Sequence, residues 1–272
     1  MFRRAATTAG KLLIGAAGSF QMGAAAVALT DKQLSKKPEW YRHNVLSLEE
    51  SLKKLSTYTW IESEEVLNEA EENLKQYVDS NNPEILWRLA RTLTEKASLI
   101  KDEHKKAELL HQAVDYAEKA IKYGGKSAHA FKWYAISACY LRDVDKKAKK
   151  CPKLREKIND HLKRATELDK QDPFSLSLLG IHQYHDKNYK EALESFKKAE
   201  SIKPGFSLTN LSYLGRTQYA LGQKSEATES LKKAFNLPIK NKHDGKAKSE
   251  TKSLLLNKLK QKQEDFEIIE AY

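Results

Sequence analysis

The apolar and polar positions in the second half of the chain alternate with the period of paired helices. One stretch reads SLLGIHQYHDKNYKEALESFKKA, and its apolar positions recur three and four residues apart, which is the spacing of one helix face. The polar residues 186–188 interrupt this spacing, so the stretch predicts two helices joined by a turn. We expect the small residues Gly180, Ala192 and Ala199 to let the two helices approach closely, while the large Phe196 fills the space between them.

The same order of positions returns in the next segment of the chain. The first of these two repeats begins at Pro173 and ends at Pro204, and the next repeat begins at Leu208 and ends near Pro238. The later repeat has the same offsets, at Leu211, Leu214, Gly215, Ala227, Leu231 and Ala234. This is the tetratricopeptide pattern, a helix–turn–helix unit of about 34 residues. Two consecutive matches define an architecture, but the fold is a scaffold that leaves the function open.

Two earlier units fit the pattern with extra residues between their helices. The matching positions of their two helices are 23 residues apart, against 12 in the unit from Pro173: Ala90 to Ala113, and Ala135 to Ile158. We therefore predict extended turns near 96–106 and 142–153. The alternation of small and large positions otherwise holds in both units.

The ends of the repeat region complete the predicted fold. Upstream, LSLEESLKKLSTY and SEEVLNEAEENLKQYV predict a further antiparallel pair, with Ser63 as a helix N-cap. A last helix over roughly 248–265 is expected to cover the apolar face of the final unit. The predicted fold is all-α, a tetratricopeptide-like superhelical stack of antiparallel helix pairs over residues 45–265.

Several segments carry a more specific signature than the repeat itself. In chain order they are LWRLAR, AVDYAEKAI, FKWYAI, LREKINDHLKRATELDKQDP, SLLGIHQY, EALESFKKAESIKPGFS and YLGRTQYALG. Their order and spacing resemble the regulator of microtubule dynamics family from about Ser47 to about Leu259. Some members carry an aromatic-rich insertion after the GIHQY-like segment, whereas here residues 185–189 close the turn directly. Any function of that insertion is therefore not expected in this chain.

The resemblance implies a noncatalytic microtubule-associated protein. Such a protein would regulate microtubule dynamics at the spindle poles and in chromosome segregation, in the cytoplasm, with tubulin as its partner and no cofactor. Other members are linked to mitochondria, so the alternative is a mitochondrial outer-membrane or contact-site scaffold or tether. Apart from the resemblance, a stack of such repeats has a concave inner surface, through which other proteins would bind.

The first 30 residues keep the mitochondrial alternative open. They carry Arg3, Arg4 and Lys11 but no acidic residue, which is typical of a mitochondrial transit peptide. Residues 12–29 are weakly apolar over nearly the length of a membrane span, but they are rich in Ala and Gly and contain polar positions. We predict a targeting or membrane-associating segment outside the fold, with a disordered tail as the other interpretation.

Basic residues concentrate in one part of the chain. The net charge is +11, and residues 83–171 alone hold 21 basic against 13 acidic side chains. The predicted turn at 142–157 is the densest basic stretch, and it supplies the candidate microtubule-binding residues Arg142, Lys146, Lys147, Lys149, Lys150, Lys153, Arg155 and Lys157. A flexible lysine-rich turn attracts the acidic surface and tails of tubulin without a close fit. The alternative is a solvated turn that binds nothing.

A second basic stretch lies near the end of the repeat region. Its lysines are Lys240, Lys242, Lys246, Lys248 and Lys252. Leucines on the same predicted helix favour a capping helix with a charged outer face over a binding site. The same helix can serve both purposes.

The remaining candidates point away from an enzyme and from other ligands. The chain shows no glycine-rich phosphate loop, nucleophile elbow or paired-carboxylate motif. His182 and His185 lack a third metal ligand nearby, and Asn210 and Arg216 make a poor clamp for a peptide carboxylate. The aromatic residues at core-like positions are interpreted as packing: Trp87, Phe131, Trp133 and Tyr134. No nucleic-acid module is recognisable, so no nucleic-acid partner is expected.

Overall fold

All regular structure in the part of the chain that the computed structural model describes, residues 35–57 and 60–267, is helical. No strand occurs within those ranges, and the helices follow one another as antiparallel pairs. The predicted all-α, tetratricopeptide-like class is therefore confirmed. The residues group into two compact units, and the boundary between them falls at His161 and Leu162, inside one helix.

The first unit contains the helices that precede this boundary. They are α1 (Glu39–Thr57), α2 (Glu64–Lys75), α3 (Pro83–Ala97), α4 (Glu103–Tyr123), α5 (Ala128–Val144), the short α6 (Lys146–Lys149) and the first part of α7 (Pro152–Leu168). Each of α1 to α4 packs against the next helix, and α3 also packs against α5. Ser63 caps α2 as predicted, because its side chain accepts a hydrogen bond from the Val66 N–H at 3.3 Å.

The second compact unit contains the two repeats that match the tetratricopeptide pattern most closely. Its helices are α8 (Pro173–His185), α9 (Tyr189–Ile202), α10 (Leu208–Ala220), α11 (Lys224–Phe235) and α12 (Lys242–Asn257). Helices α8 and α9 form one pair, α10 and α11 form the next, and α12 packs against both helices of the second pair. The buried residues between the pairs include Ala192, Phe196, Leu211, Leu214 and Ala234.

The close helix approach that the glycine pattern predicts is present in the second unit. A Cβ atom added to Gly180 of α8 would lie 2.6 Å from the Phe196 ring of α9, and Gly215 stands in the same relation to Leu231. Phe196 is fully buried, so its ring is enclosed by other residues of the chain. The small residue is therefore a condition for the pairing of these helices.

Gly180→Ala is expected to lower the free energy of unfolding by about 1–3 kcal/mol, because the added methyl group overpacks the α8–α9 contact. Gly245→Ala in α12 is the matched control. A Cβ at Gly245 meets nothing within 4 Å, so the substitution is expected to raise stability by up to about 1 kcal/mol through helix propensity. Urea denaturation followed by circular dichroism measures both effects. Equal effects of the two substitutions would contradict the close-approach account.

The extra residues of the two earlier units lie mostly in helices, and this corrects the predicted extended turns. Between α3 and α4 only residues 98–102 are outside a helix, and Asp102 starts α4 by accepting hydrogen bonds from two backbone N–H groups. In the 142–153 segment, α5 passes into α6 through the single residue Asp145, and α7 starts at Pro152. Spacing alone revealed the added length, but capping residues convert that length into helix.

The last helix starts and ends earlier than predicted. It spans Lys242–Asn257 rather than 248–265, because the Asn241 side chain accepts hydrogen bonds from the His243 and Asp244 N–H groups and so starts the helix there. Beyond it, the Phe266 ring packs edge-on against Phe235 at 5.1 Å. The expected covering of the final unit is present, with Leu255 fully buried against Leu231 and Phe235.

Within residues 35–57 and 60–267, the helices are all too short or too polar to cross a membrane. The predicted targeting or membrane-associating segment, residues 1–30, lies outside the described residues.

Candidate functional site

The densest basic segment is built around one buried alanine. Ala148 of α6 joins an apolar cluster with Ala97, Leu110 and Leu141 of the three preceding helices. The sequence around it reads KKAKK, so anchoring the alanine leaves lysines on both sides of it. These four residues, Lys146, Lys147, Lys149 and Lys150, are all exposed. We refer to them as the lysine cluster.

Asp145 fixes the start of α6. Its Oδ1 accepts hydrogen bonds from the backbone N–H groups of Lys147 at 2.6 Å and Ala148 at 2.9 Å. Its Oδ2 lies 3.2 Å from Nε2 of His111 in α4. The Ala148 N–H, followed by the His111 ring, lowers the pKa of Asp145 below its usual value. The one acidic side chain at the centre of the segment is therefore occupied by the backbone of α6 and by α4.

The lysine cluster has no partner within the described part of the chain. None of its side chains makes a hydrogen bond or an ion pair with any residue that the structure describes, and the neighbouring Lys153 is exposed in the same way. The ammonium groups are therefore accessible to a partner in solution. This differs from lysines of a helix surface that face a carboxylate one turn away.

The other predicted residues of the 142–157 segment are less available. Lys157 forms an ion pair with Glu118 of α4, and its ammonium group lies 4.8 Å from the centre of the Tyr134 ring. Burial opposes the charged form of Lys157, but Glu118 and Tyr134 outweigh it and raise the pKa. Arg142 is half-buried, and its Nε has no hydrogen-bond partner among the described residues. Arg155 is exposed. The segment is thus helical and anchored, rather than the flexible turn that the sequence suggested.

The second basic stretch is largely used within the second unit. The ammonium groups of Lys248 and Lys252 lie 4.9 and 6.0 Å from the centre of the Phe235 ring. The Lys240 ammonium group donates to the Phe206 carbonyl at 3.3 Å. The remaining two lysines of the stretch, Lys242 and Lys246, are exposed. These contacts fit a capping helix with a charged outer face.

The other candidates from the sequence take structural positions. Trp87, Phe131, Trp133 and Tyr134 are buried, as expected of packing residues. His182 is buried and lies 3.6 Å from Asp186, while His185 contacts the Tyr213 hydroxyl at 3.2 Å. The part of the chain that the structure describes contains no cluster of three or more His, Cys, Asp or Glu side chains suited to a metal ion.

The residues of the rejected carboxylate clamp already have partners. Asn210 is fully buried and donates to Glu200 at 2.8 Å. Arg216 forms an ion pair with Glu250 at 2.6 Å, and its guanidinium group packs against the Tyr213 ring at 4.5 Å. Both side chains therefore connect helices of the second unit.

Sequence reasoning missed a buried ion pair in the first unit. Arg91 and Glu95 of α3 are almost fully buried, with the Arg91 Nε 2.9 Å from the Glu95 carboxylate. Burial raises the pKa of Glu95 to about 7, although Arg91 acts in the opposite direction. The second carboxylate oxygen of Glu95 has no hydrogen-bond partner among the described residues. The available signal was the pair's four-residue spacing on the apolar face of α3, beside Leu89 and Leu93.

The fold and the surface define a helical-repeat protein with an exposed basic cluster. The profile of the regulator of microtubule dynamics protein 1-3 family matches residues 50–186 and 185–260. The chain belongs to this family, as its sequence signature predicted.

Individual relatives agree with the family match. The chain is 34% identical over 203 residues to regulator of microtubule dynamics protein 1 of Mus musculus, covering 67% of this chain and 66% of the relative. The corresponding protein of Pongo abelii is 32% identical over 203 residues, covering 67% and 64%. The chain thus spans slightly less than two thirds of the length of these curated relatives.

A solved structure supports the fold. The crystal structure of TTC0263, a thermophilic TPR protein of Thermus thermophilus, matches with a TM-score of 0.56 at 16% identity. The match covers 78% of this chain and 99% of that protein. At this identity the likeness concerns the tetratricopeptide architecture alone.

Proposed function

We propose that this protein regulates microtubule dynamics by binding microtubules directly, without catalysing a reaction, and that the lysine cluster is the contact. The proposal rests on four exposed lysines without a partner among the described residues, three on the anchored helix α6 and one directly after it. The names of the curated relatives refer to microtubule dynamics, which supports the choice of partner. In keeping with the family resemblance, we propose that it acts in the cytoplasm at the spindle poles and takes part in chromosome segregation.

The geometry of α6 favours a flexible acidic partner. Successive residues of an α-helix are rotated by about 100°, so anchoring Ala148 directs the lysine cluster over a broad outward arc. Such a spread does not converge on one small anion. It suits a flexible chain of carboxylates that passes over several ammonium groups, and the tails of tubulin are such chains. The attraction is electrostatic and acts over roughly 10 Å at 0.1 M salt.

Co-sedimentation of the full chain with microtubules tests the proposal. We expect the chain to pellet with microtubules at about 0.1 M salt and to be released at about 1 M, where the screening length falls to roughly 3 Å. An absence of pelleting at low salt would rule out direct binding. Pelleting that is independent of salt would rule out the electrostatic mechanism.

We also propose, as a second candidate function, a mitochondrial scaffold or tether. The observation that favours it is the basic, acid-free composition of residues 1–30. Imaging of the full chain with a C-terminal tag, beside a variant that lacks residues 1–30, tests it. Mitochondrial signal that depends on those residues supports this candidate, whereas the same distribution for both chains contradicts it.

A further inference from the structure

The negative charge of Asp145 opposes binding of the proposed acidic partner. It lies directly before the lysine cluster, and a carboxylate there weakens the positive potential that attracts an acidic peptide. Asp143 stands two residues earlier and carries the same charge, but it is exposed in the last turn of α5. The two acids therefore differ in their contacts rather than in their charge.

The contacts of Asp145 hold α6 in place. A helix of four residues is far too short to be stable by itself in water. Two features fix it here, the burial of Ala148 and the Asp145 carboxylate. One oxygen of that carboxylate accepts from the Lys147 and Ala148 N–H groups, and the other contacts His111. The His111 contact thus attaches the start of α6 to α4.

We propose that Asp145, held by His111, is the positioning residue of the lysine cluster. It fixes α6 so that the lysines are presented together to an acidic peptide, and its loss weakens binding even though an opposing charge is removed. Without the cap, the lysines lie on a mobile connection that must be ordered on binding, and that ordering costs affinity. This inference rests on the proposed function, because it concerns the same surface and the same class of partner.

A pair of substitutions with equal charge change separates positioning from charge. Asp143→Ala and Asp145→Ala each remove one carboxylate, so charge alone predicts tighter binding for both. Positioning predicts tighter binding for Asp143→Ala and weaker binding for Asp145→Ala. Asp145→Asn removes the charge but keeps a side chain that caps helices as well as Asp does, so it is expected to bind at least as tightly as the parent. We expect Asp145→Ala to bind about fivefold more weakly than Asp145→Asn.

The affinity of the full chain for a fluorescent glutamate peptide measures this difference, at about 0.1 M salt. Amide hydrogen exchange of Lys147 and Ala148 gives a second readout that needs no ligand. Exchange there should accelerate in Asp145→Ala and His111→Ala. It should not accelerate in Asp143→Ala, nor in His104→Ala, which removes an exposed histidine of α4 that pairs within its own helix with Glu108.

The outcomes separate this inference from the proposed function. If Asp145→Ala binds the peptide as tightly as Asp143→Ala, the positioning role is wrong while the lysine cluster remains the binding surface. Unchanged exchange at Lys147 and Ala148 in Asp145→Ala overturns the positioning role as well. If the parent chain binds neither the peptide nor microtubules, the proposed function fails, and the positioning role fails with it.

Discussion

Replacing Lys146, Lys147, Lys149 and Lys150 together with Gln is expected to weaken microtubule binding about tenfold or more while leaving the helical content unchanged. Each exposed charge contributes of the order of 0.2–1 kcal/mol to an ion pair, so four of them together contribute roughly 0.8–4 kcal/mol. Most of that range exceeds the roughly 1.4 kcal/mol that corresponds to a tenfold change in affinity. None of these side chains contacts the core, because only Ala148 of α6 is buried. Co-sedimentation measures the affinity, and circular dichroism checks the fold.

The control for this variant removes the same charge elsewhere. Lys190, Lys197, Lys198 and Lys224 are exposed lysines of the second unit, and changing them to Gln lowers the net charge equally. If general basicity drives binding, the two variants weaken it to the same extent. A further variant, with Gln at the second basic stretch, tests the other surface that the sequence suggested. If that variant alone fails to bind, the lysine cluster is the wrong surface.

Because of Glu95, the free energy of unfolding of the first unit is expected to fall as the pH rises from about 4.5 to 7. The ordinary pKa of a glutamate is 4.5, and burial raises the pKa of Glu95 to about 7 in the folded chain. Between these values the folded state holds a proton that the unfolded state has released, so unfolding becomes easier as the pH increases. Each pKa unit corresponds to about 1.4 kcal/mol, so the full effect is up to about 3 kcal/mol.

Comparison with Glu95→Gln isolates this effect. Gln has nearly the same shape and still offers an oxygen to Arg91, but it does not titrate. The free energy of unfolding of the parent minus that of the variant should therefore fall by up to about 3 kcal/mol from about pH 4.5 to about pH 7.5. Tryptophan fluorescence reports the first unit specifically, because all four tryptophans precede residue 162. A parent-minus-variant difference that does not change with pH would contradict the raised pKa.

A matched control uses an exposed carboxylate of the same unit. Glu65 lies in the first turn of α2 and is exposed. We expect the pH profile of Glu65→Gln to follow that of the parent, so that any flattening in Glu95→Gln reports the buried site.

The repeat was readable from the sequence because it depends on local steric requirements. Gly180 and Phe196 stand at fixed offsets since one has to be small for the other to fit, and the structure places them in contact. The buried aromatic residues and the Ser63 cap were also predictable from residue type and local spacing. Patterns of this kind are visible in a single sequence, because the residue type at each position determines the size and polarity of its side chain.

The site was readable only in part, because its geometry depends on contacts between distant residues. The lysine run identified the segment, but its form as a capped, anchored helix depends on Asp145 meeting His111, which lies 34 positions earlier. Lys157 cannot be distinguished from the other basic residues in the sequence, because its partner Glu118 lies on a different helix, α4. The Arg91–Glu95 pair was hidden for another reason, since four-residue spacing usually marks an exposed pair on a helix surface.

The most direct test of the account compares the binding of the parent chain to intact microtubules and to microtubules whose acidic tubulin tails have been removed by limited proteolysis. We expect strong pelleting with intact microtubules and a large loss of affinity when the tails are absent, comparable to the loss in the four-lysine variant. That variant should show little further loss on tail removal, because the tails and the lysine cluster act on each other. Equal affinity of the parent chain for both kinds of microtubule would contradict the claim that the lysine cluster binds acidic tails.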